Sequence, residues 1–324
     1  MEDLPVGHFD VFNGDADGIC ALQQLRLAQP RAAALVTGVK RDIALLARVP
    51  AQAGDTVTVL DVSLDRNRVA LLALLERGVE VDYFDHHFAG GPLPVHARLR
   101  MTIDTAPGTC TSLLADRHLR GRHRAWAVVG AFGDNLAGPA TALARELKLG
   151  GAEVEALREL GEAINYNAYG DSEEDLLLPP ARLYERLRPH ADPLAFIAAD
   201  PLAGELSRRQ REDLACADAH AVALPPAGAW QLPDAAWARR VMGSYANALA
   251  RREPQRAHAV LREAASGEDV VSVRAPHTAP RGAEVLCRAF GGSGRAAAAG
   301  IDRLPRGRRE AFLDAFARAF DTLH

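Results

Sequence analysis

Short apolar or β-branched runs alternate with amphipathic stretches over the first third of the chain. HFDVF (8–12), AALVTG (33–38), TVTVL (56–60), VEVDYF (79–84) and MTIDT (101–105) have the length and residue types of strands. Between them, ICALQQLRLAQ (19–29), DIALLARV (42–49) and RNRVALLALLERG (66–78) space their apolar residues three and four apart, the period of a helix with one buried face. This alternation predicts a parallel sheet with crossover helices. Such a sheet collects ligands beyond the carboxyl ends of its strands.

Further along, INYNAYGDSEEDL (164–176) and LPPARLYERL (178–187) read as the closing helical part of a first domain. GELSRRQREDLACADAHAVAL (204–224) reads as a long connecting helix running into a strand. The pattern then resumes with a helix (234–252), strands near RAHAVLREA (256–264) and at DVVSVRA (269–275), a helix at GAEVLCRAF (282–290), the loop GGSGRAAAAG (291–300) and an amphipathic helix (308–320). The expected organisation is an α/β domain over 1–195, a helical linker over 196–218 and a smaller α/β domain over 219–324.

The ends of the expected strands carry the chemistry. Asp15 and Asp17 follow HFDVF, Asp61 follows TVTVL, and Asp85-His86-His87 follow VEVDYF, all on one edge of the sheet. A fourth signal, Asp134, follows the apolar stretch AWAVVGAF (125–132) and stands between Gly133 and Asn135. Each aspartate alone is explained by helix capping. Gathered together, carboxylates need a partner, and hard divalent cations take carboxylates, with an imidazole tilting the choice toward a transition metal.

Composition narrows the classes. With 324 residues, 48% hydrophobic and 25% charged, the chain is long enough for two folded domains. No window approaches the roughly 18 apolar residues of a spanning helix, and MEDLPVGHFD has no signal-peptide pattern, so no membrane partner and a cytoplasmic location are expected. The four cysteines lie far apart without a C-x-x-C pair, which argues against a disulfide framework or a cysteine zinc site. A net charge of -4 argues against coating long nucleic acid by charge alone, although residues 225–324 hold 15 arginines against 10 acidic residues. The chain has only two lysines, Lys40 and Lys148, so arginine is partly a compositional habit.

In order along the chain, DADG (15–18), the lone strand-end Asp61, DHH (85–87), GD (133–134) and GGSGRAAAAG (291–300) resemble the motifs of the DHH phosphoesterase superfamily. The resemblance covers nearly the whole chain, and is to members with a DHH-associated C-terminal domain, which include RecJ nucleases and nanoRNases. It implies an active site in the cleft between a DHH domain and a substrate-binding domain. It also implies one metal held by Asp17, Asp61, His86 and Asp134, a second held by Asp15 and Asp61, and His87 facing the substrate phosphate. The implied ions are two Mn2+, with Mg2+ or Co2+ as alternatives, and the nucleophile is water between them. The catalytic set is thus His86, His87 and Asp134.

Two positions depart from the family pattern. Family pyrophosphatases and nanoRNases place a metal-ligating histidine four residues before the D-x-D, where this chain has Val11, so the metal at Asp15 is expected to bind more weakly or to be completed by water or substrate. His8 lies three residues earlier on the strand and is expected to point away. In the second domain the usual Gly-Gly-Gly-His becomes Gly292-Ser293-Gly294-Arg295. Its glycines permit an anion-binding nest, and Arg295 offers a guanidinium fork to phosphate. Arg274 is a further candidate for substrate contact, and Tyr166, Tyr169 and Asp171 are candidates for lining the cleft.

The expected activity is metal-dependent hydrolysis of short oligonucleotides or dinucleotides to mononucleotides. The alternatives are a RecJ-like single-strand exonuclease, a cyclic-dinucleotide phosphodiesterase and a non-catalytic nucleotide-binding regulator. A pyrophosphatase is disfavoured by Val11 and by the C-terminal loop, and homodimerisation is left open.

Overall fold

The structure, a computed structural model, describes residues 7 to 320. The chain divides into two compact units, Met1–Arg208 and Arg209–His324. The first unit contains β1 (His8–Phe12), α1 (Ala16–Ala28), β2 (Ala34–Val36), β3 (Thr56–Leu60), α2 (Leu64–Glu76), β4 (Glu80–Asp85) and β5 (Leu99–Ile103). Helices α3 (Thr111–His118), α4 (Arg124–Gly133), α5 (Ala137–Glu146), α6 (Gly151–Ala168), α7 (Pro180–Leu187) and α8 (Pro193–Ala199) follow. Helix α9 (Leu202–His220) runs across the division, and its Leu202, Ala203 and Leu206 belong to the first unit's core.

All five strands of the first unit are parallel, in the order β2-β1-β3-β4-β5. From β1 the chain goes to one side for β2 and to the other for β3, so the connections part beyond the carboxyl ends of β1 and β3. That switch point is where an open α/β sheet leaves a crevice. Asp15 follows one of these strands and Asp61 the other.

Side chains alternate between the two faces of the sheet. Val11, Val57, Val59, Val81 and Tyr83 join Leu71, Leu74 and Leu75 of α2 in one core. Phe12, Leu60 and Phe84 join Ile19 and Leu22 of α1 and Trp126 of α4 in another. The second face also buries a charge: the Asp10 carboxylate receives Arg26 from α1, Nε to Oδ2 at 2.8 Å and a terminal nitrogen to Oδ1 at 2.5 Å.

Helices α1, α4 and α6 meet almost backbone to backbone. A Cβ added at Gly133 would stand 2.3 Å from Ala16 Cβ and 2.9 Å from Gly161 O, and one added at Gly161 would stand 2.3 Å from Val129 O. The glycine of the GD pair therefore sets how closely the end of α4 approaches the start of α1.

Some elements differ from the sequence pattern. DIALLARV forms only a 3-10 turn over Leu45–Arg48. Asn67 of α2 takes the backbone groups a regular helix would pair internally: its Oδ1 accepts from Leu46 N–H at 3.1 Å and its Nδ2 donates to Ile43 O at 2.5 Å. AWAVVGAF is helical, and Asp134 caps the carboxyl end of that helix, so the fourth acidic signal lies at a helix end while the other three follow strands.

The second unit contains β6 (Val222–Leu224), β7 (Ala229–Leu232), α10 (Ala236–Arg252), β8 (His258–Glu263), β9 (Asp269–Arg274), α11 (Ala283–Ala289), β10 (Ser293–Gly294), β11 (Ala298–Leu304) and α12 (Arg309–Phe320). Its sheet runs β10-β11-β9-β8-β7-β6, with only β7 and β8 parallel. Leu261, Val271, Val273, Leu286, Phe312 and Phe316 form its core. The α/β class with a parallel first sheet and a smaller second unit is thus the observed one.

Candidate metal centre

Asp15 caps α1, its Oδ1 accepting from the N–H groups of Asp17 and Gly18 at 3.1 Å each. The Asp17 carboxylate reaches the start of α3, where Oδ2 accepts from Thr111 N–H and Oδ1 from Ser112 N–H, both at 2.7 Å. Ser112 Oγ adds a third bond to Oδ1 at 2.5 Å. An acidic group at an exposed set of helix N–H donors is favoured by the helix dipole. Both aspartates are therefore oriented by backbone.

Asp61 has a φ of 59°, in the left-handed region that aspartate tolerates better than most residues. The turn directs its buried carboxyl to Thr111 Oγ1, which donates to Oδ1 at 3.2 Å, and to His86, whose Nε2 is 3.3 Å from the same oxygen. His86 Nε2 is also 3.8 Å from Asp17 Oδ2. His87 Nδ1 lies 3.8 Å from Asp61 Oδ1 and 2.7 Å from Asp85 Oδ1. One ligand atom each from Asp61, His86 and His87 falls within 4.8 Å of the others, close enough that the three could hold a metal ion. Of the three, His87 is the most exposed, at 43% of its side chain.

The gathered carboxyls act on one another electrostatically. The Asp61 carboxyl is pushed well above the usual carboxylate range, by burial first and then by Asp15, Asp17, Asp134 and Asp85. Burial likewise opposes the charge on Asp15, but Lys40, the Gly18 N–H and a bond from Asp61 outweigh it and hold Asp15 low. For His87, burial works against the imidazolium and Asp85 more than offsets it, so its pKa is raised. Asp134, half-buried after α4, acts electrostatically on Asp61, Lys40 and His87.

No protein-family model and no curated protein sequence matches the chain. Solved structures do. The chain superposes on the DHH domain of a member of the S1p family of ribosomal proteins with a TM-score of 0.62 at 15% identity, covering 98% of this chain and 87% of that one. It superposes on the exonuclease RecJ bound to manganese with a TM-score of 0.56 at 22% identity, covering 98% and 90%. The chain has the DHH-domain fold. A pGpG-specific phosphodiesterase from Vibrio cholerae shares that fold, with a TM-score of 0.52 at 13% identity, covering 97% of this chain and 98% of that one.

Within this DHH fold, the donors around Asp61 fit one divalent ion. The ligand atoms of Asp61, His86 and His87 combine a carboxylate with imidazoles, the mixed oxygen and nitrogen set that suits a transition-metal cation. The donors expected for a second ion fit less well. Val11 is fully buried in the apolar core beside Leu45 and Leu46, and Asp15 Oδ2 already holds the Lys40 ammonium at 2.5 Å. His8 lies near the start of β1 with Nε2 3.0 Å from Asp10 Oδ1.

From the sequence Lys40 has no site role, and Asp85 is marked only as part of the acidic strand-end DHH signal. Lys40 reaches Asp15 from 25 positions away, and the only signal for it is its rarity in an arginine-rich chain. Asp85 is completely buried and accepts from the N–H groups of His86 at 2.9 Å and His87 at 3.2 Å, so the first letter of the DHH motif shapes the loop that presents the other two. Of the tyrosines, Tyr166 is buried in the first unit, Tyr169 places its ring 5.6 Å from the Lys40 ammonium, and Asp171 pairs with Arg41 at 2.6 Å.

In the second unit, the glycine-rich segment is a tight hairpin. Ser293 and Gly294 pair with Gly300 and Ala299, and Arg295 and Ala298 exchange backbone bonds of 2.8 and 3.2 Å. A Cβ at Gly294 would stand 2.4 Å from Ala299 Cα, at a φ of 145°. The N–H of Gly292 goes to Cys287 O at the end of α11 and that of Arg295 to Ala298 O across the hairpin turn, so these two donors of the expected nest are already spent. Arg295 is exposed at its tip. Arg274 is tied to its own unit through Asn247 Oδ1 at 2.5 Å and Ser272 Oγ at 3.0 Å.

Proposed function

We propose that the chain is a metal-dependent phosphodiesterase that hydrolyses short oligonucleotides or dinucleotides to mononucleotides. The observation that carries this reading is the convergence at His86, whose Nε2 stands 3.3 Å from Asp61 Oδ1 and 3.8 Å from Asp17 Oδ2, with His87 beside them. The manganese of the RecJ structure and the dinucleotide specificity of the Vibrio cholerae protein support the ion and the substrate class.

In this reading Asp17, Asp61, His86 and Asp134 hold a divalent ion, with Mn2+ preferred. When bound, the ion supplies Lewis-acid chemistry at phosphorus. Asp17 is kept in one orientation by its three bonds to Thr111 and Ser112, and Thr111 Oγ1 orients Asp61. His87, fixed through Asp85 and the most exposed of the cluster, meets the substrate phosphate as a charge-bearing donor. Residues 219–324 contribute the substrate-binding domain, and Arg295 at the hairpin tip grips a phosphate with its guanidinium fork.

The test is a product-resolved assay with Mn2+ across linear dinucleotides, oligomers of increasing length and cyclic dinucleotides. Mononucleotide release should be fastest from the shortest linear substrates, and both EDTA and Asp61→Ala should abolish it. Activity that survives EDTA would sink the metal reading. Processive degradation of long single strands with equal kcat/KM would favour a RecJ-like exonuclease instead.

A further inference from the structure

The cation beside Asp15 is a side chain. Lys40 Nζ stands 2.5 Å from Asp15 Oδ2 and 3.0 Å from Asn165 Oδ1, under the ring of Tyr169. The backbone around it is clamped: Lys40 N–H donates to Ala168 O at 2.8 Å, Asn13 Nδ2 donates to Lys40 O at 3.3 Å, and the neighbouring Arg41 pairs with Asp171 at 2.6 Å. Contacts from the loop after β1 and from the end of α6 and the turn beyond it thus deliver one ammonium to one carboxylate.

We propose that the Lys40 ammonium stands permanently in the place of the second metal ion, so that the site holds one divalent cation per chain. Three independent features lead there. Asp15 is buried, so its charge needs a partner in every state of the protein, and the fold supplies one. Val11 occupies the position from which a further ligand would come, and it faces an apolar core. The residue is lysine in a chain that otherwise uses arginine almost throughout. An ammonium is a compact point charge with three donors, the closest a side chain comes to a small hydrated cation, whereas a planar guanidinium is not. Asp15 then acts as a positioning residue for Lys40 and for the start of α1.

The proposal rests on the metal-site reading given above, and metal stoichiometry separates the two. Metal-free protein is loaded with Mn2+, and bound metal is counted by elemental analysis after desalting and read by electron paramagnetic resonance. Wild type should hold one Mn2+ per chain with an uncoupled spectrum. Lys40→Ala, which leaves Asp15 without its cation, should hold two with a spin-coupled spectrum. Asp15→Asn keeps a good helix cap and should hold one ion with a dissociation constant within about threefold of wild type. Two coupled ions in wild type would overturn the proposal, as would tenfold weaker binding in Asp15→Asn or a single ion in folded Lys40→Ala. No bound ion in wild type would overturn the metal-site reading itself, and this proposal with it.

Discussion

Asp61→Asn should make the metal-free protein more stable while removing its response to metal. Asparagine keeps the shape, tolerates the φ of 59° as aspartate does, and preserves an oxygen for Thr111 Oγ1. What it removes is a buried negative charge. His86 Nε2 lies 3.3 Å from Asp61 Oδ1 and 3.8 Å from Asp17 Oδ2, which puts those two oxygens within about 7 Å of each other. At an effective dielectric constant of about 20, two like charges at that separation repel by roughly 2 kcal/mol. For a unit of this size that corresponds to a rise of about 4–8 °C in melting temperature.

The pH dependence has a definite sign. Burial and four neighbouring carboxylates raise the Asp61 pKa above its ordinary 3.8, so the folded state binds the proton more tightly than the unfolded chain. Metal-free wild type must therefore lose stability as pH rises from that value through the raised one, and Asp61→Asn must not. Saturating Mn2+ reverses the order: at a hundredfold excess over Kd it stabilises wild type by about 2.7 kcal/mol and leaves the variant unmoved. Calorimetric melts in EDTA at pH 5 and pH 8, repeated with Mn2+, read all three effects. A variant less stable than wild type in EDTA at pH 8 would refute the reasoning, because the carboxylate would then be contributing to the fold.

Arg26→Met should cost about 3–5 kcal/mol in urea unfolding, since it strands the Asp10 carboxylate, 1% exposed, without its fork. Burial opposes that carboxylate, but Arg26 and His8 outweigh it and lower its pKa, so wild type should surrender this contribution as pH falls below the unfolded value of 3.8. Burial lowers the pKa of His258 from 6.5, so the unfolded state takes up the proton first and the second unit should lose stability below that pH; His258→Leu should flatten this loss in urea melts at pH 5 and pH 8. Arg295→Ala should lower kcat/KM on phosphodiester substrates by about tenfold to a hundredfold, the worth of a charge-assisted bond, with Mn2+ affinity unchanged in a parallel titration.

The sheet was legible because its strands obey a period of two on both faces: Val11 and Phe12, or Val59 and Leu60, go to opposite cores as their alternation demands. The acidic strand ends were legible because topology brings β1, β3 and β4 side by side. Lys40 was not, since its value lies in a contact with Asp15 and Asn165 made across 25 and 125 positions. The 3-10 turn at Leu45–Arg48 was hidden for the same reason, its backbone being claimed by Asn67. In the glycine-rich loop the residue types suit a nest and a tight hairpin equally, and only the pairing of Gly294 with Ala299 distinguishes them.

The contact of α1, α4 and α6 through Gly133, Ala16 and Gly161 divides the candidate metal centre into two mechanical halves. Asp17 and Asp134 ride on helices locked together without intervening side-chain volume. Asp61, His86 and His87 ride on loops beyond the strands, joined to that block through Thr111 and the imidazole of His86. Amide hydrogens in the core of α1 and α4 should consequently exchange with solvent only by global unfolding, whereas those of residues 86 to 88 should exchange through local opening. Ions would then enter and leave by excursions of the DHH loop against a fixed helical wall.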